Sequence, residues 1–233
     1  MKPEFIYFDL DNTLLDHSSA ESDAQKAIYN SYPELQTVPI EEWLKAYKTL
    51  NQQLWLQYQK GEIDRYKLQK NRFKGSMQVL GIDSTRSEEI GADYMEQYRK
   101  YWNWLDGAKN AFDTICEKYP VGIITNGFSE TQQKKIEQMG LSDYSNTFII
   151  SEEVGVMKPH QKVFDVATDK AGVSRDKILY VGDSYTSDIV GGRNAGWKTA
   201  WYTAFSKSSE VNGDLTADFL FKEFPDLVTY LNS

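Results

Sequence analysis

One cysteine, two histidines and six prolines in 233 residues leave little room for several kinds of chemistry. A lone Cys116 cannot close a disulfide within the chain. With no Cys or His cluster at ligand spacing, there is no zinc-site pattern. Basic side chains are the minority, 26 Lys and Arg against 34 Asp and Glu, for a formal net charge of −8. No basic stripe offsets that total, so a binder of nucleic-acid polymers is not expected. No apolar stretch approaches the roughly 20 residues that span a bilayer. The opening MKPEFIYFDLDNTLLD carries one lysine and a short apolar run broken by carboxylates, which reads as neither a signal peptide nor a membrane anchor. No glycine-rich phosphate loop of the Walker or dinucleotide-binding type follows the first apolar run, which argues against ATP and NAD. What remains, 26% charged and 40% apolar, is the composition of an ordinary globular protein, expected in the cytoplasm.

The apolar pattern changes character twice along the chain. Residues 4–8, Glu-Phe-Ile-Tyr-Phe, form a dense β-prone run ending at Asp9, as a buried central strand should. From about Ser18 to Trp104 the pattern is helical. Trp43, Tyr47, Leu50, Leu54, Trp55 and Tyr58 recur at three- and four-residue steps, as do Ile90, Tyr94, Tyr98 and Trp102. After Asp106-Gly107, strands and helices alternate: a helix over 108–118, strand VGIIT, a helix from 130, strand TFIIS, and a helix from about 161 closed by Gly172. Strand KILYVG, a short helix up to Gly196, strand TAWYT and an edge strand ADFLF follow. Ser129 three residues before Gln132 predicts a capping box, and Gly140 a helix stop. Pro225 fits the first turn of a last helix that packs Leu227, Val228 and Leu231 inward. Alternation of this kind predicts parallel pairing through right-handed crossovers. The expected fold is a three-layer, Rossmann-like α/β core of residues 1–16 and 105–233, interrupted by an all-helical insert of residues 17–104.

The polar residues fall where such a sheet binds ligands, beyond the carboxyl ends of its strands. Strand one ends in Asp9-Leu10-Asp11-Asn12-Thr13, the next in Thr125-Asn126-Gly127, and the fourth in Gly182-Asp183 with Asp188 five positions on. Lys158-Pro159 precedes that fourth strand. Carboxylates gathered this closely repel one another unless a cation sits among them. An oxygen-only donor set suits a hard ion, magnesium rather than zinc or copper. Magnesium together with Lys158 would neutralise a phosphoryl group, and Thr125 could donate a hydrogen bond to it. A carboxylate nucleophile acting through an aspartyl-phosphate is an established route for phosphoryl transfer.

On these residues the chain resembles the haloacid dehalogenase superfamily of aspartate-nucleophile hydrolases, over nearly its whole length. Asp9-Leu10-Asp11-Asn12-Thr13 is similar to its first motif, DxDxT, and Thr125 at the end of IITNG to its second. Lys158 in VMKP is similar to the third, and Gly182-Asp183 with Asp188 to the fourth, GDxxxxD. The resemblance implies Asp9 as nucleophile and Asp11 as general acid and then base. It implies Thr125, Asn126 and Lys158 around the phosphate. It further implies magnesium on Asp9, Asp183 and the backbone carbonyl of Asp11, with Asp188 steadying that shell or Lys158. The helical insert resembles the cap of the superfamily's first subclass. Within that subclass, Asn51-Gln52-Gln53-Leu54-Trp55, Tyr58, Gly61, Arg72 and Phe73 resemble the cap of bacterial pyrimidine 5′-nucleotidases, as do IITNGFSETQQKKI and SEEVGVMKP.

The implied substrate is therefore a nucleoside monophosphate. A small phosphorylated metabolite such as phosphoglycolate or a sugar phosphate is the alternative, and phosphomutase activity stands behind it. Dehalogenation is disfavoured, because dehalogenases of the superfamily lack the aspartate found here at position 11. A purely binding role would predict missing catalytic residues, and none is missing. Aromatics such as Trp55 and Phe73 could stack on a base or simply fill the core of the insert. Arg72 could contact phosphate or base, or belong to that same core. Cys116 reads as inert core, and His160 as the start of a helix.

Overall fold

The computed structural model describes residues 2–206 and 217–233. They form two compact units, one of residues up to Asp16 with Asn103–Ser233, the other His17–Trp102. The linking segments pair with each other inside the first unit. Leu15 bridges Trp104, Leu105 N–H donates to Leu14 O at 2.8 Å, and Asp16 N–H donates to Asn103 O at 3.0 Å. That pairing puts the division at 102/103.

The first unit is built on a six-stranded parallel sheet ordered β3-β2-β1-β4-β5-β6 among the described residues. The strands are β1 (Phe5–Phe8), β2 (Val121–Thr125), β3 (Phe148–Ile150), β4 (Ile178–Gly182), β5 (Lys198–Tyr202) and β6 (Phe219–Phe221). All four residues of β1 are buried, which accounts for the unbroken apolar run in the sequence. Its side chains alternate between faces. Tyr7 donates to Ala167 O (2.7 Å) on one side, while Phe8 meets the Phe112 ring (5.2 Å between centroids) on the other. Helices thus cover both faces, α5 (Ala108–Cys116) and α10 (Phe224–Asn232) on the Phe8 side and α8 (Gln161–Ala171), with the short α9 (Gly191–Asn194) packed against it, on the Tyr7 side. Phe8 is in register with Ile123 of β2 and Val181 of β4. The carboxyl ends of these three central strands are therefore neighbours.

Helix α6 (Ser129–Gln138) begins differently from the expected capping box. Ser129 is its first helical residue. Its N–H is satisfied by Glu152 Oε2 at 2.6 Å, from α7 (Ser151–Val154), and its hydroxyl donates to Glu153. Carboxylates from a neighbouring helix also answer the positive end of the dipole, which leaves Gln132 free for another task. Gly140 and Gly172 end α6 and α8 in the left-handed region, both at φ 68°. His160 caps α8, its Nδ1 accepting from Lys162 N–H. Leu227 and Leu231 of α10 are buried as expected, whereas Val228 is half-buried.

The second unit is a set of four helices, α1 (His17–Ser31), α2 (Ile40–Gln59), α3 (Arg65–Val79) and α4 (Ser87–Lys100). Asp64 caps α3 through Lys67 N–H at 2.8 Å. Rings of Trp43, Tyr47, Phe73 and Tyr94 form its centre, Tyr47 and Phe73 only 5.0 Å apart and Phe73 and Tyr94 5.2 Å. Phe73 is thus core of this unit, while Trp55 is half-buried against Tyr58.

Candidate active site

The loop leaving β1 is tight enough to turn its carboxylates inward. Leu10 O accepts from the N–H groups of Leu14 and Leu15, both at 2.9 Å, and Asn12 sits in the left-handed region at φ 62°. Asparagine tolerates that region better than most residues do. The turn buries Asp9 and brings Thr13 Oγ1 to 3.1 Å from Asp9 Oδ2 and 3.4 Å from Asp183 Oδ1.

Lys158, from the loop before α8, reaches into the same space. Only 2% exposed, its ammonium donates to Asp9 Oδ1 (2.6 Å), Asp188 Oδ1 (2.8 Å), Tyr180 Oη (2.7 Å) and Ile124 O (3.1 Å). The Tyr180 hydroxyl stands 3.1 Å from both Asp188 Oδ1 and Ile124 O. Asp188 Oδ2 accepts from Ser184 N–H at 3.0 Å. Gly182 makes this packing possible, since a Cβ there would lie 2.4 Å from Asp188 Oδ2. Asn126 fixes the lysine's backbone: its Oδ1 accepts from Lys158 N–H (2.9 Å) and its Nδ2 donates to Lys158 O (3.1 Å). The amide expected beside a phosphate is thus already engaged. Thr125 is buried at the end of β2, its hydroxyl 3.4 Å from Asn126 O.

Asp11 points elsewhere. Both its oxygens accept from Lys135 Nζ, at 2.6 and 2.9 Å, and Oδ2 also accepts from Gln132 Nε2 at 3.1 Å. Lys135 is buried on the inner face of α6, one turn beyond Gln132. Gly127 permits that approach, because a Cβ would meet Gln132 Nε2 at 2.3 Å. The four motifs do not include Lys135, Gln132 or Tyr180, and they give the Thr13 hydroxyl no role, yet all four residues belong to the site. A lysine on a helix face shared with buried Ile136, and a hydroxyl inside the apolar run of β4, were the available signals.

Asp9, Asp183 and Asp188 bring carboxylate oxygens within 4.8 Å of one another. Burial pushes the Asp9 carboxyl up to about 7; Lys158 opposes that rise, while Asp188 and Asp11 add to it. Burial, then the charges of Asp9 and Asp188, hold Asp183 well above the usual carboxylate range. Burial presses Lys158 toward the neutral amine, but Asp188 and Asp9 outweigh it and keep the ammonium charged. One ammonium against three carboxylates leaves negative charge that a hard divalent cation would balance, so the residues fit magnesium. Asp188 has both oxygens committed to Lys158, Tyr180 and Ser184. Asp9 is likewise held, one oxygen by Lys158 and the other by Thr13, whose hydroxyl also lies 3.4 Å from Asp183 Oδ1. Of the remaining expectations, Cys116 is half-buried, and burial raises its thiol to about 12, which leaves it unreactive.

The chain is similar over most of its length to proteins already known. The family model described as haloacid dehalogenase-like hydrolase matches residues 6–202. Pyrimidine 5′-nucleotidase YjjG of Escherichia coli is 36% identical over 205 residues, 88% of each chain. Glyceraldehyde 3-phosphate phosphatase of Pyrococcus furiosus is 30% identical over 233 residues, covering 97% of this chain and 92% of that one. A crystal structure of the HAD-hydrolase YfnB of Bacillus subtilis, bound to magnesium, superposes over all of both chains with a TM-score of 0.85 at 26% identity.

Proposed function

The chain belongs to the haloacid dehalogenase-like hydrolases, and from that premise we propose that it is a magnesium-dependent phosphomonoesterase, with nucleoside monophosphates as its substrates. The observation that carries this reading is the buried Lys158, which ties Asp9 to Asp188 beside Asp183. That cluster has the charge and burial to accept both a cation and a phosphoryl group.

In this reading an Asp9 carboxylate oxygen attacks phosphorus, and the bond from phosphorus to the ester oxygen breaks. Asp11, once released from Lys135 and protonated from solvent, gives that proton to the departing oxygen and later takes one from the attacking water. Water then displaces Asp9 from phosphorus, releasing inorganic phosphate and restoring the carboxylate. Lys158 and Thr13 each hold one oxygen of Asp9, so the nucleophile is oriented before substrate arrives. Lys135 and Gln132 keep Asp11 in one orientation until it is needed. Thr125, at the end of β2, supplies a hydroxyl for a phosphoryl oxygen. Asp9, Asp183 and the Asp11 carbonyl would hold magnesium, which neutralises phosphoryl charge in the transition state.

Support for a nucleotide comes from similarity to YjjG across most of the chain. The full-length similarity to a glyceraldehyde 3-phosphate phosphatase supports a second reading, a small sugar phosphate. A phosphate-release assay over nucleoside monophosphates, sugar phosphates and phosphoglycolate, with magnesium present, separates the two. The proposal expects pyrimidine monophosphates to give the highest kcat/KM. A three-carbon phosphate at the head of the panel would replace it with the second reading, and no release from any ester would end both.

A further inference from the structure

We infer that the helical unit carries a separate binding site for a small oxyanion, a phosphate or carboxylate compound, in the cleft between α3 and α4. The cleft measures about 300 Å³, the size of a small metabolite. Arg72 lines it and is 8% exposed. Among the described residues this guanidinium has no carboxylate partner, and its Nε has no acceptor. Its Nη2 donates to Met95 Sδ at 3.2 Å, a weak acceptor. Its faces rest near the rings of Phe73 and Tyr94, 5.6 and 5.3 Å from their centroids. The fork is therefore held rigidly while its charge goes unanswered.

A buried charge without a counterion is costly, and an anion entering the cleft would remove that cost. The other charges of the wall do not supply one. Glu88 is engaged by Lys70 at 3.0 Å, so the lining keeps a net positive charge in a chain that carries −8 overall. Ser87, in the first turn of α4, adds a hydroxyl to the lining. Gly91 and Ala92 form part of the α4 wall, Ala92 exposed and Gly91 against the Phe73 ring, which a Cβ would approach to 3.2 Å. An arginine fork pairs with phosphoryl and carboxylate groups alike.

Nuclear magnetic resonance of the full chain tests this, in EDTA and at constant ionic strength, by titration with inorganic phosphate and, separately, with succinate. At least one probe should shift the Arg72 Nε–H signal and the Gly91 and Ala92 amides saturably. Phosphate alone moving them identifies a phosphoryl ligand, and succinate alone a carboxylate. Arg72→Met should weaken that binding about tenfold or more. Ala92→Leu, at an exposed helix position where folding is not at issue, should weaken it by narrowing the cleft. If neither probe moves these signals, or both variants bind as the parent does, the site does not exist. Phosphate reaching the Asp9 cluster is read separately, from the Gly127 and Gly182 amides, so failure of the catalytic reading leaves this result intact.

Discussion

In the sheet unit the buried ammonium groups are answered by carboxylates, whereas in the helical unit the buried bulk is aromatic and the guanidinium of Arg72 meets no carboxylate among the described residues. Lys158 is buried among four acceptors, and Lys135 holds both oxygens of Asp11. In the helical unit Trp43, Tyr47, Phe73 and Tyr94 fill the centre, while Arg72 Nε and Asn51 Oδ1 have no partner among the described residues. The difference follows from what each unit does with its interior. A site that handles charged groups must keep its own charges fixed before the reactants arrive, and a bundle needs only to exclude water.

The largest effect should come from the centre of the charged unit. Asp9→Asn removes the nucleophile, and phosphate release should fall by about 10³-fold or more, with the melting temperature near that of the parent. Substantial turnover in that variant, once contamination is excluded, would break the covalent mechanism. Lys158→Met strands Asp9 and Asp188 without their cation and should cost about 3–5 kcal/mol in denaturant unfolding. An equal loss from Lys70→Met, whose partner Glu88 lies 70% exposed, would erase the contrast between the units.

Phe73→Ala tests the other half of the comparison. It opens a void among three rings and should cost about 3–5 kcal/mol, with nucleotide and p-nitrophenyl phosphate turnover falling together. A raised KM for nucleotides alone, at unchanged stability, would instead make this ring part of the substrate wall.

The smallest effect is a pH dependence confined to metal-free protein. Asp9, raised to about 7, and Asp183, raised well above its ordinary value, bind protons more tightly folded than unfolded. Their contribution to stability is present at low pH and lost as pH rises through about 7. In EDTA the melting temperature should therefore be higher at pH 6 than at pH 8, and magnesium should reduce the difference. A melting temperature that rises from pH 6 to pH 8 in EDTA would show that these carboxylates are not held protonated.

Much of this was legible because strand ends are local. The buried run of β1 stops at Asp9, β2 stops at Thr125 and β4 at Gly182, and each stop is visible as an apolar run meeting polar residues. Longer-range pairings were not. Ser129 and Gln132 have the spacing of a capping box, yet Glu152 takes Ser129 N–H and Gln132 turns to Asp11. Asn126 reads as a phosphate contact, but its amide is spent on the backbone of Lys158. Phe73 fits a substrate wall and a core equally well in one dimension, and only its three ring neighbours decide between them.

By itself the sequence determined the alternation of strands and helices, the helical insert and the acidic residues that end the central strands. These depend on periodicity and on neighbours within a turn or a strand. The tertiary structure decided which cation meets which carboxylate: Lys158 with Asp9 and Asp188, Lys135 with Asp11, and none with Asp183 among the described residues. A charge's partner is set by distances across the fold, and Asp11 and Lys135 stand 124 positions apart in the chain.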